Sequence, residues 1–278
     1  MDEITAEYAV DQLSTQIPLR FVPRTSVAAK TDLGRVRDNN EDKFEYYETE
    51  DPRLLASRGL IYVVCDGMGG HAGGQFASEL AAKTFIDVYL SHTADDIGTA
   101  VLAAIRAANR YVMDVGRTFP ARRGMGTTLT ALILWQDQAY VGQVGDSRAY
   151  RLRNGDFMRL THDHTFVEES VRIGTLTAEE AAVHPHRHVL TRAIGADDPL
   201  VPDIYEFDLQ AGDVFLLCSD GLLNHVEDDL IAEQVRTKSP AEATWNLVNQ
   251  ALAAGGTDNT TVMIVRVDAL EEVSAADA

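Results

Sequence analysis

One stretch near residue 66 constrains the fold more than any other part of the chain. Leu60 to Val64 is an unbroken apolar run of strand length, and Cys65-Asp66 follows it. A glycine-dense turn, Gly67 to Gly74, comes next and leads into a helical pattern. A carboxylate at the end of a buried strand, beside glycine, can offer side-chain and carbonyl oxygens to a hard cation. The same residues also suit a plain strand–turn–helix connection in which the aspartate caps the helix, so this stretch alone leaves both interpretations open.

Length, charge and cysteine content limit the function classes. The 278 residues are 45% hydrophobic and 24% charged, which is typical of a soluble globular chain, and their formal net charge is −19 at pH 7. Nucleic acids and anionic membranes attract positively charged proteins. Because this chain is strongly acidic, we expect no nucleic-acid or membrane partner. The sequence shows no bilayer-spanning apolar run and no basic signal-peptide start, so we predict a cytoplasmic protein. Cys65 and Cys218 lie in apolar runs, which favours buried free thiols over a disulfide.

The order of hydrophobic patterns predicts two sheets covered by helices. Early strands are followed by two helical stripes, Phe76 to Tyr89 and Val101 to Val115. Short strands then run from Thr127 to Leu160, and two further helices precede a last strand, Thr261 to Val267. We therefore predict the α+β class, as a four-layer α-β-β-α sandwich with two mainly antiparallel sheets.

Domain boundaries follow from where the patterns weaken. Residues 1–24 are predicted to be an N-terminal extension, residues 25–268 a single domain, and residues 269–278 an acidic tail. The region from about 165 to 200 is loosely patterned and rich in His and Arg. Because so long an insertion is uncommon in a compact domain unless it is functional, we expect it to be a flap.

Two local expectations concern the ends of the domain. Ser26 to Lys30 and Lys43 to Tyr47 have the pattern of two strands joined as a hairpin. Ser239 to Glu242 is a capping box with proline at the first helical position, so it predicts a helix start. The inner face of that helix is expected to hold Trp245, Val248 and Leu252.

Five aspartates share one local context at the edges of strand-like runs: Asp42, Asp66, Asp146, Asp220 and Asp258. If two stacked sheets bring these edges together, the carboxylates need cations, because like charges raise each other's pKa. Oxygen-only ligation favours Mg²⁺ or Mn²⁺ over zinc. Two such ions, about 3.5–4 Å apart, can share a water, lower its pKa and direct it as a nucleophile.

An arginine precedes the first of these aspartates. Beside a metal pair, Arg37 would be suited to bidentate binding of a phosphate group. Without metals it would be an ordinary surface residue paired with Asp38 or Glu41.

Seven short motifs follow one another along the chain. They are Arg37–Asp42 (RDNNED), Cys65–His71 (CDGMGGH), Gly126–Thr128 (GTT), Gly145–Arg148 (GDSR), His184–Gly195 (HPHRHVLTRAIG), Ser219–Gly221 (SDG) and Asp258-Asn259 (DN). This ordered set resembles the metal-dependent protein phosphatase family (PPM, or type 2C), and the resemblance runs from about residue 26 to 267. It is similar in particular to the bacterial serine/threonine phosphatases of that family.

The resemblance implies an α-β-β-α sandwich with a binuclear Mn²⁺ or Mg²⁺ centre that hydrolyses phosphoserine and phosphothreonine. Arg37 would bind the substrate phosphate, and the flap would lie beside the active site. By position, the resemblance implies that Asp66 contacts both ions and that the Gly67 carbonyl contacts the first. Asp220 and Asp258 would contact the second ion, and Asp42 would act on it through water. Asp146 and Asp220 would hold a looser third ion.

The general acid is where the chain departs from part of the family. Many eukaryotic members have His directly after the Asp-Gly pair, whereas this chain has Met68, as bacterial relatives do. His71 is the substitute we predict, because a leaving alkoxide gains from a donor with a pKa near neutrality. A structural role at the helix start is the alternative.

Two other polar tracts admit competing interpretations. The alternating His184, His186 and His188 have the pattern of a zinc-binding tract, although the surrounding motif favours a flap-anchoring segment. Asp163 could be another metal ligand, but we expect a structural role for it at the flap entrance.

Together these features predict a Mn/Mg-dependent serine/threonine protein phosphatase. A hydroxide bridging the metals would attack the phosphate directly, and the enzyme would oppose a bacterial Ser/Thr kinase. We expect phosphorylated proteins as substrates and a monomeric state. The alternative is a catalytically silent module of the same fold that senses metal or a partner.

Overall fold

The structure, a computed structural model, describes residues 17–69, 72–196 and 198–273. Its strands are β1 Phe21–Asp32, β2 Lys43–Tyr47, β3 Leu60–Cys65, β4 Gly67–Met68, β5 Gly126–Thr127, β6 Leu129–Trp135, β7 Gln138–Val144, β8 Arg148–Arg153, β9 Asp156–Arg159, β10 Asp203–Asp208, β11 Val214–Cys218 and β12 Thr260–Glu272. Its α-helices are α1 Pro52–Ser57, α2 Ala72–Ser91, α3 Ile97–Thr118, α4 Phe166–Arg172, α5 Ala178–Ala182, α6 Asp220–Leu223, α7 Asp228–Thr237 and α8 Pro240–Ala253. In the part of the chain described, no helix combines the length and apolar character needed to cross a bilayer.

Two five-stranded sheets form the centre of the molecule. The first has the strand order β1-β12-β11-β8-β9 and the second has the order β10-β7-β6-β3-β2. All pairings within both sheets are antiparallel. The short strands β4 and β5 pair separately as a two-stranded ribbon.

Three apolar layers hold the sheets and helices together. Between the two sheets lie side chains such as Tyr62 and Phe215. Helices α2 and α3 cover the second sheet through residues such as Phe85 and Ile105. On the opposite side, the C-terminal helices cover the first sheet through residues such as Leu247. The predicted four-layer sandwich is therefore confirmed.

Local sequence explains strand β3 and the helix ends. Strand β3 is buried along its whole length, because helices cover one face and the other sheet covers the opposite face. Asp96 caps α3 by accepting a hydrogen bond from the Thr99 N–H at 2.7 Å. The predicted capping box of α8 is present, with Ser239 and Glu242 each accepting a backbone N–H of the other.

The prediction of an N-terminal hairpin is wrong. Strand β1 pairs with β12 in the first sheet, whereas β2 pairs with β3 in the second. The pairing of β1 begins at Phe21 opposite Glu272, so both strands extend beyond the ranges that their local patterns predict. Backbone pairing between residues so distant along the chain leaves little periodic signal on the partly exposed ends.

The inner face of α8 also differs from the prediction. The buried side chains include Ala243, Leu247 and Val248, whereas Trp245 is 59% exposed. The Lys30 ammonium lies 4.9 Å from the centre of the Trp245 ring. Because successive residues of an α-helix are rotated by about 100° around its axis, Trp245 points well away from the residues that pack on the first sheet.

These two positions of α8 give a direct stability test. Leu247→Ala should lower the free energy of unfolding by about 2–5 kcal/mol, because it opens a cavity in a packed layer. Trp245→Ala should lower it by about 1 kcal/mol or less, since it removes an exposed ring and one cation–π contact. Urea unfolding of both variants measures the difference, and equal losses would contradict the observed orientation of α8.

Candidate metal-dependent active site

Backbone contacts fix Asp66 at the end of β3. Its N–H donates to the Thr128 hydroxyl at 2.9 Å, and its carbonyl accepts from the Thr128 N–H and the Thr127 hydroxyl, each at 2.8 Å. The next residue is just as confined, because a Cβ on Gly67 would lie 2.3 Å from the Gly74 carbonyl oxygen. The GTT and CDGMGG motifs therefore form one rigid connection that holds the carboxylate in place.

A cavity of about 450 Å³ opens at this end of the sandwich. Five carboxylates line it, those of Glu41 and of four aspartates from four different turns, and Arg37 and Gly67 also line it. The predicted site residues that the structure brings together here are Arg37, Asp66, Gly67, Asp146, Asp220 and Asp258. His71, the predicted general acid, lies outside the described residues.

Asp42 lies behind the wall of this cavity and is fully buried. Its Oδ2 accepts hydrogen bonds from the Ser219 and Thr261 hydroxyls, each at 2.7 Å. Its Oδ1 has no hydrogen-bond partner among the described residues. Burial raises the pKa of Asp42 to about 6, although the two hydroxyls oppose this rise.

The carboxylates in the cavity destabilise one another as anions. Burial, followed by the charges of the neighbouring aspartates, raises the pKa of Asp66 well above its ordinary value. Burial and the charge of Asp220 raise the pKa of Asp146 to about 8. The pKa of Asp220 is also raised, by burial and then by the charge of Asp258. A cation between these groups would relieve both the desolvation and the repulsion.

The donor set fits a hard cation by its chemistry, while the side chains do not form a closed ligand shell. In the described residues, no three His, Cys, Asp or Glu side chains converge closely enough to enclose an ion. The Arg37 guanidinium contacts Asp258 instead, with Nη2 2.6 Å from Oδ2. The oxygen donors and the unpartnered, buried Oδ1 of Asp42 nevertheless suit Mg²⁺ or Mn²⁺.

Asn259 is a structural residue of the site to which the sequence reasoning assigned no role. Its Oδ1 accepts the Glu41 N–H at 2.8 Å, and its Nδ2 donates to the carbonyls of Leu33 and Asn39 at 2.8 and 3.0 Å. It therefore ties the acidic RDNNED turn to the turn that carries Asp258. The DN motif marks this position in the sequence, but a dipeptide does not indicate which residues the Asn259 side chain contacts.

The flap brings one histidine to the cavity. Its helices are α4 and α5, and an isolated bridge between Thr165 and Leu190 closes its base. His188 lines the cavity, and its Nδ1 lies 3.9 Å from Oδ2 of Asp220. The rings of His184 and His186 pack against Phe166 instead, with centroids 5.5 and 6.1 Å away. The three histidines therefore do not face a common point, which argues against the zinc interpretation.

Asp163 has a structural role at the entrance of the flap. It accepts hydrogen bonds from Nε and Nη2 of Arg148, the arginine of the GDSR motif, the shortest at 2.8 Å. It also forms an ion pair with Arg159 at 2.7 Å. Its carboxylate is therefore occupied by two guanidinium groups, as expected for a residue that braces the strand after Asp146.

Comparison with known proteins agrees with this geometry. The family model described as Protein phosphatase 2C matches residues 29–260. The chain therefore belongs to the protein phosphatase 2C family, and it is a serine/threonine protein phosphatase of the bacterial type.

Individual relatives cover almost the whole domain. The serine/threonine phosphatase stp of Listeria monocytogenes is 36% identical over 244 residues, which are 86% of this chain and 94% of that protein. The structure of the S. agalactiae serine/threonine phosphatase has a TM-score of 0.79 at 33% identity and covers 88% of this chain and 100% of that one. The catalytic domain of the phosphatase PstP, in complex with two manganese ions, has a TM-score of 0.74 at 35% identity and covers 88% and 98%.

A buried histidine supports the turn that carries Asp146. Nδ1 of His164 accepts the Gly145 N–H at 3.2 Å, so the ring proton is assigned to Nε2, which lies 3.2 Å from Oδ2 of Asp203. Arg192 lies 3.1 Å from the same Nε2. Burial and the charge of Arg192 lower the pKa of His164, so the neutral ring is the form that fits.

Acidification should therefore destabilise the fold through His164. Its pKa in the folded chain lies below the ordinary value of about 6.5, so the unfolded chain binds more protons and stability falls as the pH drops through that value. His164→Gln keeps both hydrogen-bonding functions without a titrating ring. Urea unfolding at neutral and mildly acidic pH should show a smaller loss of stability in His164→Gln than in the wild type. An equal loss in both proteins would contradict this role.

Proposed function

We propose that this phosphatase hydrolyses phosphoserine and phosphothreonine in proteins at a centre of two manganese ions. The observation that carries the proposal is the convergence of four aspartates from separate turns, together with Arg37, on one cavity. The relative PstP, whose catalytic domain was solved with two manganese ions, supports the choice of metal. Mg²⁺ satisfies the same oxygen donors and is the alternative ion.

The proposed ligand roles follow the position of each group in the cavity. Asp66 would contact both ions and the Gly67 carbonyl the first, since a rigid backbone holds this pair at the cavity wall. Asp220 and Asp258 would hold the second ion, with Asp42 behind them acting through water. Asp146 and Asp220 would form a looser third site, consistent with the influence of the Asp220 charge on the Asp146 pKa.

The reaction we propose is a direct displacement at phosphorus. The cations that these aspartates would hold would supply a water of lowered pKa as the nucleophile. In-line attack of this water on phosphorus would break the bond to the serine or threonine oxygen, which leaves as the alcohol once it is protonated. Arg37 would leave Asp258 and donate to two phosphate oxygens, which can accept a bidentate pair of hydrogen bonds as a carboxylate does.

Neither cysteine is suited to forming a covalent intermediate. Cys65 and Cys218 are fully buried in strands, and burial raises the pKa of Cys218 to about 12 and that of Cys65 further. Because the thiolate is the nucleophilic form, these residues support attack by water rather than by sulfur.

The proposed biological setting is reversal of protein phosphorylation. The relatives named serine/threonine phosphatases support phosphorylated proteins as substrates. We propose that a bacterial Ser/Thr kinase supplies those substrates and that the enzyme acts as a monomer.

The central test is the removal of the charge at Asp66. Asp66→Asn should lower Mn²⁺-dependent hydrolysis of an aryl phosphate by more than the roughly 10- to 100-fold typical of groups that only support a ligand. Asp38→Asn, an exposed change of equal charge in the neighbouring acidic turn, is the matched control and should retain activity. Chelation should abolish wild-type activity, and added Mn²⁺ should restore it. Full activity in Asp66→Asn, or after chelation, would refute the proposal.

The general acid can be identified through the leaving group. His71→Asn should slow hydrolysis of a phosphothreonine peptide by about 10²-fold or more, because an alkoxide needs a proton to leave. It should have little effect on p-nitrophenyl phosphate, whose leaving group is stable as an anion. His188→Asn is the comparison, since His188 is the histidine that lines the cavity. Selective loss on the peptide in His188→Asn alone would move the role from His71 to His188.

A further inference from the structure

One segment of this acidic protein is strongly basic. The chain carries a formal net charge of −19, yet residues 106–123 contain five arginines and only one acidic residue, Asp114. The arginines are Arg106, Arg110, Arg117, Arg122 and Arg123. Arg106, Arg110 and Arg117 lie on the middle and C-terminal part of α3, and the other two lie on the turn after it. None of the five forms an ion pair within the described residues.

A second cavity, of about 380 Å³, opens beside this segment. Arg117 and Arg123 are the charged residues among those that line it, and both are exposed. The remaining lining is apolar side chains and glycine, including Val112, Met113 and Met125. Two guanidinium groups without carboxylate partners therefore border a concave surface that can admit a side chain.

The second cavity shares a wall with the active-site cavity. Ala196 lines both of them. Gly69 lines the first and lies directly against Met125, which lines the second, since a Cβ on Gly69 would be 3.0 Å from the Met125 Cα. A peptide with its phosphorylated residue in the first cavity can therefore reach the second with a nearby side chain.

The turn that carries Arg123 is well supported. The Phe119 N–H donates to the Val115 carbonyl at 3.0 Å, and the Met125 N–H donates to the Arg122 carbonyl at 3.2 Å. The Arg122 guanidinium stacks on the Phe76 ring at 3.4 Å from its centre. This packing engages Arg122 and anchors the turn to α2, while Arg117 and Arg123 remain available to a ligand.

We infer that this second cavity binds an anionic side chain of the substrate, a carboxylate or a second phosphate, close in sequence to the phosphorylated residue. The inference rests on the proposed function and adds a substrate preference to it. Both anions match the planar donor fork of arginine. The net negative charge of the protein disfavours the binding of acidic peptides in general. At the second cavity, the two unpaired arginines favour an acidic side chain instead.

The test is a series of phosphothreonine peptides. Each has neutral flanks except for one anionic residue, placed in turn within about four positions on either side, because an extended chain advances roughly 3.4 Å per residue. One arm uses glutamate and the other uses a non-hydrolysable phosphonate, which separates a carboxylate ligand from a second phosphate. The measured quantity is the ratio of kcat/KM for each anionic peptide to that for the neutral peptide. This ratio cancels any general change in activity.

Wild-type enzyme should prefer an anionic residue at one or two positions by about 10-fold, which corresponds to about 1.4 kcal/mol. Arg117→Gln/Arg123→Gln should reduce that ratio to near one, mainly through KM. Arg106→Gln/Arg110→Gln changes the net charge equally on the same helix but outside the cavity, and it should keep the preference.

Two results would overturn the inference. The first is the absence of any preference in wild-type enzyme that hydrolyses the neutral peptide. The second is an equal loss of preference in both double variants, which would show a general field effect rather than a binding site. Failure of wild-type enzyme to hydrolyse even the neutral peptide with Mn²⁺ would instead refute the proposed function, so the two failures are distinguishable.

Discussion

Repulsion between buried carboxylates is the constraint on which this structure depends. Burial and mutual charge raise the pKa values of Asp66, Asp146 and Asp220, so each of them is costly to hold as an anion. The backbone holds Asp66 in this cluster, through the hydrogen bonds of Asp66 to Thr128 and the close packing around Gly67. Such destabilised sites persist only where the surrounding structure fixes them, and in the proposed function this cluster would bind cations.

The sandwich explains why the carboxylates converge. Asp66 follows β3 of the second sheet, and Asp220 follows β11 of the first. Asp146 lies in the turn that crosses from β7 to β8, and thus from one sheet to the other. Asp258 precedes β12, which lies between β1 and β11 in the first sheet. The cavity therefore straddles the junction of the two sheets, and neither sheet alone could assemble it.

The surroundings of the cavity differ sharply in charge. On the flap side, acidic residues such as Asp163 and Asp203 are paired with arginines. On the side of α3, Arg117 and Arg123 have no such partners in the described chain. A substrate peptide that crosses the active site would therefore meet paired charged side chains at one end and two unpaired arginines at the other. This asymmetry gives the enzyme a physical basis for selecting the sequence around a phosphorylated residue.

Predictions from the sequence succeeded where the signal is local. The helical stripes of α2 and α3, the capping box at Ser239 and the buried character of β3 all follow from periodicity and side-chain chemistry within one element. They failed where long-range packing decides, as for Trp245, whose apolar ring faces solvent, and for β1, which pairs with the far end of the chain.

The sequence by itself determined the family, the order of the elements and the identity of the candidate aspartates, because each motif is contiguous and carries its own chemistry. Only the tertiary structure decided their relations in space. It places Asp42 behind the cavity against Ser219, a residue 177 positions away, and brings Arg37 onto Asp258, 221 positions away. It also sets two arginines beside a second cavity next to the first. These relations arise from the stacking of two sheets, and contacts between residues so far apart leave no pattern in the sequence near either partner.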